Sequence, residues 1–84
     1  MPSYLVEAYL PRATADERRK MVDRARLVAE AIRAEGLDVR HIRSTFLPQD
    51  ETCFHWFEAA SEVDVGEVAR RAEFAAHRIV EAIE

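Results

Sequence analysis

His41, His55, His77 and Cys53 are the side chains of this 84-residue chain best suited to chemistry, and their spacing decides which of them could act together. Imidazole and carboxylate suit borderline divalent ions, and imidazole is the side chain whose ordinary pKa makes it a base near neutrality. His41 and Glu58 fall opposite each other if their two segments pair as strands across a short turn, with Glu7 nearby on a central strand. That trio could ligate nickel, zinc or copper. The same pair, read structurally, is a cross-strand hydrogen bond. Arg43 then stands over Trp56, where it could hold an anionic or aromatic ligand or form a plain cation–π pair. Cys53 and His55 are two apart and share a face, either as thiolate and imidazole ligands or as a small hydrophobe and a hydrogen-bonded core ring. His77 precedes the last strand and reads as a surface residue. No serine–histidine–acid triad or paired-cysteine motif is present, and two glycines in the whole chain argue against cradling a nucleotide with backbone amides.

Six segments must position these groups. Ser3–Leu10 alternates as a strand and Pro11 stops it. Thr14–Ala15–Asp16–Glu17 is a capping box that opens a helix. Its apolar stripe is Met21, Ala25, Val28 and Ile32, widened by Val22 and Ala29, and Gly36 is its stop. Val39–Leu47 and Thr52–Ala59 are strands joined by the turn Pro48–Gln49–Asp50–Glu51. Either a four-residue or a two-residue loop pairs Leu47 with Thr52, and strict alternation then sets His41 opposite Glu58, Arg43 opposite Trp56, Ile42 opposite Phe57 and Ser44 opposite His55. Ser61 starts a second helix with Val65, Val68, Ala69 and Ala72 buried, and Arg78–Ile83 is the last strand. Two strand–helix–strand units in 84 residues predict one α+β domain over the whole chain, residues 1–84. Its arrangement is ferredoxin-like, βαββαβ, with a four-stranded antiparallel sheet, two helices on one face, and strands one and three in the middle.

The totals narrow the partners. A net charge of −4 argues against general nucleic-acid binding, which needs a basic surface to displace phosphate counterions. The arginines between Arg18 and Arg33 are interleaved with acids and read as a solvated helix face. One cysteine permits no internal disulfide and suits a reducing, cytoplasmic setting; neither a signal peptide nor a membrane-spanning apolar run is visible.

Two helices cover one face of such a sheet and leave the other bare. The helix-facing set is Tyr4, Val6, Ala8, Ile42, Phe46, Cys53 and Phe57; the bare set is Leu5, Glu7, Tyr9, His41, Arg43, Thr45, Phe54, Trp56 and Glu58. Exposed apolar patches usually mark an interface, and the simplest cover is a second copy. The expectation is a homodimer closed sheet to sheet around a partly polar chamber.

Tyr4–Leu5–Val6–Glu7 with Leu10–Pro11, Arg43–Ser44–Thr45–Phe46–Leu47–Pro48, Asp50–Glu51–Thr52–Cys53–Phe54, Phe57–Glu58–Ala59 and Arg78–Ile79–Val80–Glu81–Ala82 resemble a family of small bacterial domains of unknown function that includes an actinobacterial nickel-binding protein. The resemblance covers nearly the whole chain and is most specific over Asp50–Ala59. It implies a ferredoxin-like fold, a sheet-to-sheet dimer and nickel binding. The chain departs from the family at His55, where a second cysteine is usual, and at Glu73–Phe74–Ala75–Ala76–His77, where a Gly–Leu–Pro-like turn is usual and a longer helix is expected here.

Three functions follow as expectations. The first is a nickel-binding homodimer with His41, Glu58 and Glu7 as ligands. The second is a cofactor-free enzyme, similar in architecture to small dimeric α+β-barrel monooxygenases and isomerases. There Tyr9, Phe54 and Trp56 hold an organic substrate, His41 is the general base and Arg43 grips an anionic group. The third is a non-catalytic dimeric module. A non-enzymatic role is favoured.

Overall fold

The computed structural model describes residues 1–74 and 77–83. Alternating burial makes Ser3–Tyr9 a strand, β1, with Tyr4, Val6 and Ala8 buried. Leu10 N–H still reaches the Glu51 carbonyl at 2.7 Å, but Pro11 has no donor with which to carry the ladder on. Helix α1 (Ala15–Ala34) starts at Thr14, whose Oγ1 accepts from the Glu17 N–H at 3.1 Å. The Glu17 carboxylate accepts from the Thr14 hydroxyl at 3.2 Å, so the two residues satisfy each other at the cap. Ala25, Ala29 and Ile32 are buried, and Met21 and Val28 pack beside them.

Both helices end in the same way. After α1, Gly36 takes a left-handed φ of 103°, Leu37 N–H reaches Ile32 O at 3.3 Å and Gly36 N–H reaches Arg33 O at 3.0 Å, a Schellman motif. Helix α2 (Glu62–Arg71) starts at Ser61, whose hydroxyl accepts from the Asp64 N–H, and buries Val65, Val68 and Ala69. After it, Phe74 N–H reaches Ala69 O at 3.1 Å and Glu73 N–H reaches Arg70 O at 3.2 Å, while Glu73 itself holds φ 59°. The expected extension of this helix through 73–77 is therefore corrected: a Schellman turn stops it at Arg71, with glutamate in the left-handed position that glycine usually fills. Ala75 and Ala76 lie outside the described residues.

The other strands are β2 (Val39–Leu47), β3 (Thr52–Ala59) and β4 (His77–Ala82), and the antiparallel sheet runs in the order β2-β3-β1-β4. This is the ferredoxin-like fold, with β1 and β3 central as expected. The last strand begins and ends one residue earlier than Arg78–Ile83. Ser3 is the first residue of β1 and pairs with Ala82, so Ile83 has nothing to pair with and is 88% exposed.

The core lies between sheet and helices, around Val6, Ile32, Phe57, Val65 and Val68. At one end Arg71 ties the helices together. It donates to both oxygens of Glu35, at 2.5 and 2.7 Å, and to Glu67 at 2.8 Å.

A left-handed φ costs a non-glycine residue roughly 1–2 kcal/mol, part of which glycine gives back through its looser unfolded chain. Glu73→Gly is expected to stabilise the domain by about 1 kcal/mol in urea denaturation; a loss of stability contradicts this reading of the turn.

Candidate functional site

The sheet presents two faces, and a bulge in β2 decides which residues share them. From Leu47↔Thr52 to Arg43↔Trp56 the register follows the sequence expectation. Between His41 and Arg43 it slips: His41 pairs with Phe57, Arg40 with Glu58 and Val39 with Ala59, leaving Ile42 as the extra residue. Two placements change as a result. Ile42, expected toward the helices, is 46% exposed. His41, expected on the bare face opposite Glu58, crosses to the helix side and meets the Phe57 ring edge-on at 5.4 Å.

The bare face is ordered in rows across the four strands. One row is Arg40–Glu58–Ser3–Ala82, the next Arg43–Trp56–Leu5–Val80, the next Thr45–Phe54–Glu7–Arg78, and a last short one Leu47–Thr52–Tyr9. Arg43, Phe54 and Trp56 stand together on this face, with the Arg43 guanidinium 4.6 Å from the Trp56 ring centre. Tyr9 sits two rows from Trp56 and is 44% exposed. It also borders a cleft of about 230 Å³ between α1 and the segment after α2, together with Lys20, Arg24 and Phe74. Glu7 remains on the bare face, 3.5 Å from Arg78.

The proposed ligand trio is not assembled. Glu58 lies two rows from Glu7, about 13 Å along the strands, and His41 is on the opposite face. Among the described residues, no group of three or more His, Cys, Asp or Glu side chains is placed to hold a metal ion. One chain thus does not fit a metal on that set.

The bulge gathers a second cluster under α1. His41 Nε2 lies 2.9 Å from Ser44 Oγ, and Ser44 Oγ lies 2.6 Å from His55 Nδ1. Cys53 Sγ is 4.0 Å from the same nitrogen, and the His55 ring stacks on Phe74 at 4.6 Å. His55 is completely buried and its Nε2 has no partner among the described residues. A lone pair is less costly to leave unmet than an N–H, which fixes the protons. His55 Nδ1–H donates to Ser44, and the Ser44 hydroxyl donates to His41 Nε2. Burial and the neighbouring His41 push the His55 pKa down to about 4. Burial and Arg26 also lower His41, against a backbone hydrogen bond at Arg43 that raises it. Burial pushes the Cys53 thiol up to about 11, so it is a protonated core group rather than a nucleophile.

Ser44 is the member that residue-by-residue reading passed over, although its place opposite His55 was visible. The bulge was also encoded. Val39 and Phe46 both face the helices yet are seven positions apart, an odd spacing that strict alternation cannot satisfy.

No protein-family model, curated protein or solved structure matches this chain.

A histidine held neutral by the fold stabilises it fully above its unfolded value of 6.5, and the contribution is lost as pH falls from there toward its folded value of about 4. For His55 the expected loss is about 2 kcal/mol between pH 7.5 and 5, measured by urea denaturation. His55→Leu should remove most of this slope, and an unchanged slope contradicts the assignment.

Proposed function

We propose that this protein is a homodimeric module in which two copies meet through the bare faces of their sheets. The observation that carries the reading is the apolar centre of Trp56, Leu5 and Val80 beside Phe54, left half-buried in the single chain with no element over it among the described residues. A second copy suits this face for two reasons. Its charges are mixed, with Arg40, Arg43 and Arg78 against Glu7 and Glu58, so it does not repel itself. Its size is also adequate. Four strands at about 4.8 Å spacing and about seven residues of about 3.4 Å give roughly 450 Å² in plan. Side-chain relief brings that toward the roughly 800 Å² per partner of a standard interface.

A small organic acid is the ligand that such a dimer would best admit. The supporting observation is the guanidinium of Arg43 over Trp56, flanked by Phe54 and Thr45, which offers a flat apolar surface beside a fixed positive charge. Nickel or another divalent ion, which the family resemblance implies, would need ligands from both copies, since the described residues of one chain do not gather them.

The wild-type protein is expected to show twice the 9.6 kDa chain mass in light scattering at micromolar concentration. Trp56→Glu places a charge at the centre of the interface and should raise the dimer dissociation constant about a hundredfold, as loss of a central aromatic anchor does, with an unchanged far-ultraviolet spectrum. A wild-type monomer at every concentration, or a Trp56→Glu dimer as tight as wild type, overturns the proposal.

A further inference from the structure

We propose that the His41–Ser44–His55 chain is an acid-sensitive latch on the dimer face: when His41 takes up a proton, the bulged segment His41–Ser44 lets go of β3, Arg43 leaves Trp56, and the two copies part. This inference rests on the sheet-to-sheet dimer proposed above and names its regulation.

With both rings neutral, two hydrogens fill two contacts: His55 Nδ1–H to Ser44 Oγ, and the Ser44 hydroxyl to His41 Nε2. A proton arriving at His41 Nε2 turns that acceptor into a donor. Ser44 must then accept from both rings, which leaves its own hydroxyl hydrogen without a partner in the chain, at a half-buried position. Otherwise His55 must carry its hydrogen on Nε2, which has no partner among the described residues. Either way a satisfied chain becomes an unsatisfied one.

The surroundings offer the new charge no compensation. From α1 the facing charge is Arg26, of the same sign and itself paired with Asp23 and Glu30. From β3 it is the Cys53 thiol, which stays protonated. Beyond His55 lies the Phe74 ring, and β1 supplies Tyr4 and Val6 in the same rows. Arg40 and Arg43 of β2 belong to the other face, where Glu58 and Glu7 are the acids. With Asp23 and Glu30 of α1 paired to Arg26, no carboxylate among the described residues forms an ion pair with His41 or His55.

The strain would be felt where the bulge is. β2 is an edge strand, so within the sheet β3 alone holds it. His41 and Ser44 bracket Ile42 and Arg43, and Arg43 is the residue that covers Trp56 at the centre of the dimer face. His41 is the accessible end of the chain, half-buried where His55 is sealed. Protons therefore enter at the end nearest the bulge.

The test is the dimer dissociation constant by sedimentation at pH 7.5 and 5.5, with the emission of Trp56, the single tryptophan, and the ¹⁵N shift of the His41 ring followed over the same range. In the wild type the constant is expected to rise at least tenfold at pH 5.5. Trp56 emission and the His41 shift should move with the same midpoint while far-ultraviolet dichroism stays constant. His41→Gln, whose amide can still bond Ser44 but does not titrate, should show less than a twofold change. A dimer equally tight at both pH values overturns the latch and leaves the dimer standing, as does an equal weakening in His41→Gln. A wild-type monomer at both pH values overturns the dimer and the latch with it. Dissociation whose midpoint differs from that of the His41 ring also overturns the latch, whether or not the variant folds.

Discussion

Alternation along a strand is the constraint on which the whole molecule depends, because two helices can cover only one side of a four-stranded sheet. Every residue of β1 and β3 is thereby assigned to a covered or an open side. β3 obeys without exception, burying Cys53, His55, Phe57 and Ala59 and leaving Phe54, Trp56 and Glu58 half-exposed. β2 cannot obey, since Val39 and Phe46 must both face the helices from an odd separation. The single extra residue, Ile42, resolves the conflict. It sits on an edge strand, where a bulge disturbs one ladder rather than two and helps keep a free edge from recruiting other strands.

That local repair shapes both faces. It turns His41 inward, where Ser44 joins it to the fully buried His55, and it keeps Arg43 outward over Trp56. A polar chain inside a small domain is favourable only while each hydrogen has a partner, and here both hydrogens have one, the His55 Nε2 lone pair alone being unmet among the described residues. The site therefore favours neutral imidazoles, and among the described residues no carboxylate pairs with either ring. Away from it, the Glu35–Arg71–Glu67 pairs join the two helices at the surface, where solvent limits what they contribute.

Much of this was legible in the residues. The capping box at Thr14, the glycine stop at Gly36, the four-residue turn after Leu47 and the alternation of β1 and β3 each have a local cause, and together they leave one topology. The open face was legible for the same reason, down to Arg43 beside Trp56. Two things were not read. The bulge reverses the two residues for which it matters most, His41 and Ile42, because the turn sets the register only as far as Arg43 and the odd spacing of Val39 and Phe46 governs the rest. The second Schellman turn was missed because glutamate occupies the position that normally advertises itself as glycine. In both places a tertiary demand overrode the local signal.

The central claim is that the open face is where two copies meet. The most direct measurement is a filtered nuclear Overhauser experiment on a sample in which half the chains are isotopically labelled, so that only contacts between copies appear. The account predicts such contacts from the Trp56 indole to side chains of the open rows, among them Leu5, Phe54 and Val80. Contacts between copies that instead gather on α1 or along the outer edge of β4, with none at Trp56, would contradict it.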